Sequence, residues 1–145
     1  LASFLHSKRM VKKSENRLLI VDDESQFRYS LSLALKKAGF ETFQAEDGRQ
    51  ALEMLLTAQR VGKPYDLILL DLQMPRMNGL ELVQELFLAG IKTPVFFVSA
   101  FLDEATRASI AEGGCVGILE KPFEPEEIVK RVEGCLQGSR REEKR

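Results

Sequence analysis

Residues 65–79 read YDLILLDLQMPRMNG, and the run LILL at 67–70 decides the fold. Four consecutive apolar residues bounded by turn formers are too short for a helix, so the segment 65–70 is expected to be a buried strand of a parallel sheet. Asp71 ends the run. In an open α/β sheet the carboxyl ends of the strands face the functional crevice, which places this carboxylate over a site rather than inside the core. The pattern recurs at 18–21, where LLIV runs into Asp22, Asp23 and Glu24. Two apolar strands that both end in acid are the feature around which the rest of the chain is arranged.

Working outward, the first strand is expected at 17–21. A helix follows at 24–38, with an apolar stripe at Phe27, Leu31, Ala34, Leu35 and Ala38 and Gly39 as its stop. FETFQA at 40–45 alternates and predicts a more exposed strand near a sheet edge. A helix at 47–58 carries Ala51, Leu52 and Leu55, and Gly62 and Pro64 then punctuate the chain before the central strand. Beyond the loop with Pro75, Asn78 is a candidate N-cap for a helix through Ala89, closed by Gly90. Val95 to Val98 form the fourth strand. Asp103 caps a thinly apolar helix to about Glu112, ended by Gly113 and Gly114, and the last strand lies at 116–119. Pro125, at a first helical position, starts a helix carrying Ile128, Val129, Val132, Cys135 and Leu136. Five strand–helix alternations imply a mostly parallel sheet covered by helices on both faces.

The chain has 145 residues, enough for one domain with a sizeable core. Its hydrophobic content of 44% is that of an ordinary globular domain. No apolar run approaches the roughly 18 residues that cross a membrane, so no membrane association is expected. The net charge of -1 conceals a partition. Residues 1–17 and 139–145 are basic, whereas 18–138 carry twelve basic against nineteen acidic residues, a balance that favours a cation over a nucleic acid. The expected organisation is a leader at 1–16, disordered or artificial in origin, a folded domain at 17–137 and a charged tail at 138–145. Cys115 and Cys135 lack the C-x-x-C spacing of a metal site and read as small, half-buried apolar residues in a reducing compartment. His6, the one histidine, lies in the leader, so no histidine cage competes for zinc.

The strand ends deliver Asp22 and Asp23, Asp71, Ser99 and Lys121 to one crevice. Carboxylates held together repel one another unless a cation neutralises them, and an all-oxygen donor set points to Mg²⁺, with Mn²⁺ as an alternative. Together with such an ion, the Lys121 ammonium and the Ser99 hydroxyl make a receptor for a tetrahedral anion. With Asp71 as nucleophile the anion is a phosphoryl group. The chain has no G-x-x-x-x-G-K-S/T or G-x-G-x-x-G loop, so the phosphoryl donor is expected to lie elsewhere.

The segments LLIVDDE, LILLDLQMPRMNGLE, FFVSA and ILEKPF resemble those of the receiver (CheY-like) domain of two-component response regulators, over about residues 17–137. The resemblance implies a doubly wound, flavodoxin-like, five-stranded parallel sheet of order 2-1-3-4-5. It also implies that Asp71 accepts a phosphoryl group from a phosphohistidine on a sensor kinase or phosphotransfer protein in the cytoplasm. On the same ground, Asp23 and Asp71 ligate Mg²⁺ directly and Asp22 largely through water, with the backbone carbonyl of Gln73 completing the set. Lys121 pairs with the phosphoryl oxygens, Ser99 moves towards them on activation, and Lys121–Pro122 is a cis peptide. Pro75 and Gly79 shape the loop, and the resemblance makes Gln73 and Phe101 the positions that control access of hydrolytic water.

One position departs from the family pattern. Ile118 stands three residues before the lysine, where the family usually carries an aromatic residue that swings inward, so the usual aromatic switch is in doubt. The face of the last strand and its flanking helices is where family members dimerise or meet an output domain, and here it offers Arg107, Glu112, Glu126, Lys130 and Arg131. No helix-turn-helix or basic recognition helix is present, so direct nucleic-acid binding is not expected of this chain. Two alternatives stand beside this reading. A metal-dependent phosphohydrolase acting through Asp71 needs a carboxylic acid two residues on, where Gln73 stands. An interaction domain that never takes phosphate makes no use of Asp71, Ser99 and Lys121.

Overall fold

The computed structural model describes residues 16–112 and 115–143. Among the described residues five strands and five helices alternate: β1 (Arg17–Val21), α1 (Ser25–Lys37), β2 (Glu41–Ala45), α2 (Gly48–Val61), β3 (Leu67–Asp71), α3 (Gly79–Leu88), β4 (Val95–Ser99), α4 (Glu104–Glu112), β5 (Gly117–Glu120) and α5 (Pro125–Glu143). All pairings are parallel, in the order β2-β1-β3-β4-β5. This is the doubly wound sheet expected, with β2 at an edge. The chain reverses its direction of travel across the sheet after β2, so β1 and β3 lie side by side with their carboxyl ends together, which is where a sheet of this kind opens its crevice.

Alternation along the strands builds two cores. Leu19, Val21, Ile68, Leu70 and Phe97 face one side and meet Ala51, Leu55, Leu82, Leu86 and Ile110 of α2, α3 and α4. Leu18, Ile20, Leu67, Leu69, Phe96 and Val98 face the other and meet Leu31 and Leu35 of α1 and Ile128, Val132 and Leu136 of α5. All of β3 is buried. Burial on both faces explains its uninterrupted apolar sequence, each such side chain contributing about 2 kcal/mol.

Several boundaries differ from the sequence expectation for local reasons. Tyr65 precedes β3 and packs edge-on against Phe43 with ring centroids 5.4 Å apart, the Arg17 guanidinium lying over both rings. Helix α2 continues through Gln59 and Arg60 to Val61, where Gly62 (φ 74°) takes the left-handed cap. The last strand runs from Gly117 to Glu120, one residue later at each end than expected, and the Phe96 ring lies against Gly117, where a Cβ would stand 2.2 Å from it. The last helix runs on past Gly138 to Glu143. The proposed stop of α4 at Gly113 and Gly114 and the leader, apart from Asn16, lie outside the described residues. Among the described residues, no helix is long and apolar enough to cross a membrane.

Candidate functional site

The site is assembled by the turns that leave β1, β3, β4 and β5. After β1 the buried Asp22 is pinned from several directions. Its Oδ1 accepts the Glu24 N–H at 2.9 Å, its N–H reaches the Ala45 carbonyl at 3.2 Å, and its carbonyl accepts from the Arg28 guanidinium at 2.7 Å. Arg28 Nε also donates to Gln44 Oε1 at 3.1 Å, tying the acidic turn to β2. Asp23 is exposed beside it. At the end of β3, Asp71 is 4% exposed and its Oδ1 accepts the Gln73 N–H at 3.0 Å. The chain then returns sharply, since a Cβ on Gly79 would lie 2.9 Å from the Asp71 carbonyl oxygen and 3.0 Å from the Leu72 Cα. Only glycine lets α3 begin so close to the end of β3. Asn78 secures that start through a reciprocal capping box with Glu81.

Carboxylate oxygens of Asp22, Asp23 and Asp71 all lie within 4.8 Å of one another. The Lys121 ammonium reaches into the group, 2.8 Å from Asp22 Oδ2 and 3.7 Å from Asp71 Oδ2, with the Phe27 ring centroid at 4.0 Å. The Lys121–Pro122 peptide is cis, as expected. One ammonium balances only one of three negative charges. Burial first, and then the charges of Asp22 and Asp23, push the Asp71 carboxyl up to about 6 against the pull of the Gln73 N–H and Lys121. An acidic cluster capable of coordinating a metal is therefore present, and its donor chemistry fits a hard divalent ion: oxygen ligands, a surplus of negative charge and one exposed carboxylate as entry. Asp22 already spends one oxygen on Glu24 and the other on Lys121, which leaves Asp23 and Asp71 the freer ligands.

The remaining expected residues are distributed around this cluster. Ser99 is wholly buried, and its hydroxyl donates to the Phe101 carbonyl at 2.9 Å while accepting the Phe101 N–H at 3.3 Å. The register pairs Asp71 with Val98, so Ser99 stands one residue further along β4 and its hydroxyl is engaged in its own turn. Gln73 and the 65% exposed Phe101 line one shallow cleft with Leu72, Met74, Asn78 and Leu80. Ile118 is half-buried against the core opposite Phe97, and its carbonyl accepts from Arg131 at 3.1 Å. Arg107 pairs with Glu120 at 3.2 Å across the same edge. A larger cleft of about 770 Å³, lined by Asn16, Tyr65, Asp66 and Pro94, opens away from the acidic cluster. Sequence reasoning missed Arg28, and it took Phe27 only as a core residue. Their spacing five and four residues after the acid pair is the available signal, since one helical turn brings both back over the β1 turn.

A family model described as the response regulator receiver domain matches residues 18–133. Among curated proteins, the transcriptional regulatory protein ResD of Bacillus subtilis is 35% identical over 128 residues, covering 88% of this chain and 51% of ResD. The cell cycle transcriptional regulator CtrA of Caulobacter vibrioides is 30% identical, covering 86% of this chain and 52% of its own length. The chain thus spans about half the length of the curated relatives it matches. Among solved structures, the Francisella response regulator 1452 receiver domain superposes with a TM-score of 0.76 at 27% identity, covering 86% of this chain and 98% of that one. Vibrio cholerae chemotaxis protein CheY4 gives 0.72 at 32% identity, covering 83% and 98%.

Proposed function

The chain belongs to the response regulator receiver domain family, and from that premise we propose that it takes a phosphoryl group onto Asp71 from the phosphohistidine of a sensor kinase or phosphotransfer protein in the cytoplasm. The observation that carries this reading is the placement of the Lys121 ammonium against both Asp22 and Asp71, within a group of three carboxylates no more than 4.8 Å apart. Asp71 Oδ attacks phosphorus, the P–N bond to the donor imidazole breaks, and an acyl phosphate forms as the imidazole takes up a proton. Such transfers pass through loose transition states that demand positioning and charge neutralisation more than a strong nucleophile. Bound Mg²⁺ supplies that neutralisation, and Asp23, Asp71 and the Gln73 carbonyl would hold it, with Asp22 contributing mainly through water.

Within this reading Lys121 has two partners in succession. In the resting site it satisfies Asp22, and once phosphate is attached its ammonium turns to a phosphoryl oxygen. Ser99 exchanges the Phe101 carbonyl for another phosphoryl oxygen, and that exchange frees the turn after β4 to shift. The short Ile118 side chain leaves this turn, rather than a swinging ring, to carry the signal. The face of β5, α4 and α5 then meets an output domain outside this chain or a second copy.

Incubation with acetyl phosphate and Mg²⁺ tests the reading. We expect one phosphoryl group per chain, labile to hydroxylamine, and none on Asp71→Asn. Many turnovers of phosphate release with little adduct would instead assign a phosphohydrolase.

A further inference from the structure

We propose that Phe27 is a positioning residue for phosphoryl acceptance, its ring face holding the Lys121 ammonium over Asp71. The inference deepens, and rests on, the phosphoacceptor reading.

The ammonium lies 4.0 Å from the Phe27 ring centroid, well inside the range in which the negative face of a ring attracts a cation. It also meets the carboxylates of Asp22 and Asp71. Both carboxylates also belong to the cation cluster, so a bound divalent ion weakens their pull on the lysine by neutralising the same charges. The ring is neither ligated nor titrated. Its attraction persists while Asp22 and Asp71 change partners, and it keeps the ammonium within reach of an incoming phosphoryl oxygen without occupying any acceptor.

The ring is itself oriented. Phe27 sits in the first turn of α1, four residues after Asp23, and meets Phe123 edge-on with centroids 5.6 Å apart and planes at 78°. Phe123 follows the Lys121–Pro122 turn, so the two rings join the segment carrying Asp22 and Asp23 to the segment carrying Lys121. An edge-to-face pair fixes which way the Phe27 face points. Core packing alone does not require this residue type: Phe27 is only half-buried, while Leu31, Ser32 and Leu35 are the buried members of α1. A leucine would fill much of the same space and offer the ammonium no negative face.

The test compares wild type, Phe27→Leu, Phe27→Met and Phe27→Tyr for the rate of phosphorylation by acetyl phosphate at saturating Mg²⁺. Mg²⁺ affinity and the NMR shifts of the Lys121 ε-methylene protons are measured on each. We expect Leu and Met to slow phosphorylation between about twofold and thirtyfold, with Mg²⁺ affinity unchanged, and Tyr to retain the wild-type rate. The ε-methylene protons should be moved upfield by the ring in wild type and Tyr, and not in Leu or Met. Leu and Met variants phosphorylated at the wild-type rate overturn the inference, as does a Tyr variant as slow as Leu. Wild-type ε-methylene protons without the ring shift overturn it whether or not any variant folds. A wild type that takes no phosphate overturns the phosphoacceptor reading itself, and this role with it.

Discussion

Replacing Asp71 with Asn should stabilise the metal-free protein at neutral pH, and the size of the effect follows from the surroundings of Asp71. The carboxyl is 4% exposed beside Asp22 and Asp23 and titrates at about 6 in the fold, against 3.8 when unperturbed. A group whose folded pKa is raised holds its proton longer in the native state, so the contribution of Asp71 to stability is largest below about pH 4, falls as pH rises towards 6, and is flat above. The full shift corresponds to about 3 kcal/mol. Water at the exposed Asp23 screens the cluster and reduces this to about 1–2 kcal/mol. Asparagine keeps the oxygen that accepts the Gln73 N–H, carries no charge to desolvate and leaves Lys121 paired with Asp22. In EDTA its Tm should therefore exceed wild type by roughly 3–8 °C at pH 7 and match it at pH 4. Mg²⁺ should restore most of the wild-type deficit and do little for the Asp71→Asn variant. Thermal denaturation followed by circular dichroism from pH 4 to 8, with and without Mg²⁺, checks all of this. Parallel curves for the two proteins across that range in EDTA would refute the assignment of a charge-strained carboxylate.

Other perturbations separate the parts of the site. Lys121→Met leaves the buried Asp22 carboxylate without its 2.8 Å partner, which should cost about 3–5 kcal/mol in metal-free urea unfolding. The same change removes a competing positive charge, so Mg²⁺ affinity measured by calorimetry should rise. Gly79→Ala drives a methyl to within 2.9 Å of the Asp71 carbonyl oxygen. We expect a loss of about 1–3 kcal/mol by urea unfolding and weaker Mg²⁺ binding as the β3 turn gives way. Phe101→Ala should shorten the half-life of the acyl phosphate by opening the cleft shared with Gln73, and an equal rate of phosphate release would remove Phe101 from the control of water.

Much of the fold could be read in the chain because burial on two faces leaves a strong mark. The unbroken run at 67–70 and its partner at 18–21 become the adjacent central strands, and the alternating 40–45 becomes the edge. Boundaries are less legible, because element ends carry little apolar pattern of their own. Val116 falls outside β5 and Glu120 joins it, and Gln59 and Arg60 extend α2 with no apolar period to announce them. In the site, chain order and residue type located Asp22, Asp23, Asp71 and Lys121, whose side chains the fold brings together. The partner each group takes depends on rotamers and loop path. Lys121 lies nearer Asp22 than Asp71, the Ser99 hydroxyl turns back to Phe101, and Arg28 holds the Asp22 carbonyl. Phe27 read as one member of an apolar stripe, since no one-dimensional pattern shows that a lysine 94 positions later in the chain will sit on its ring.

The most direct measurement is chemical identification of the modified residue. Protein incubated with acetyl phosphate and Mg²⁺ is reduced with borohydride, which converts an acyl phosphate on aspartate to homoserine, and its peptides are sequenced by mass spectrometry. The account predicts homoserine at position 71 and at no other aspartate. Conversion of Asp22 or Asp23 instead, or phosphate found on a hydroxyl side chain with Asp71 intact, would contradict it.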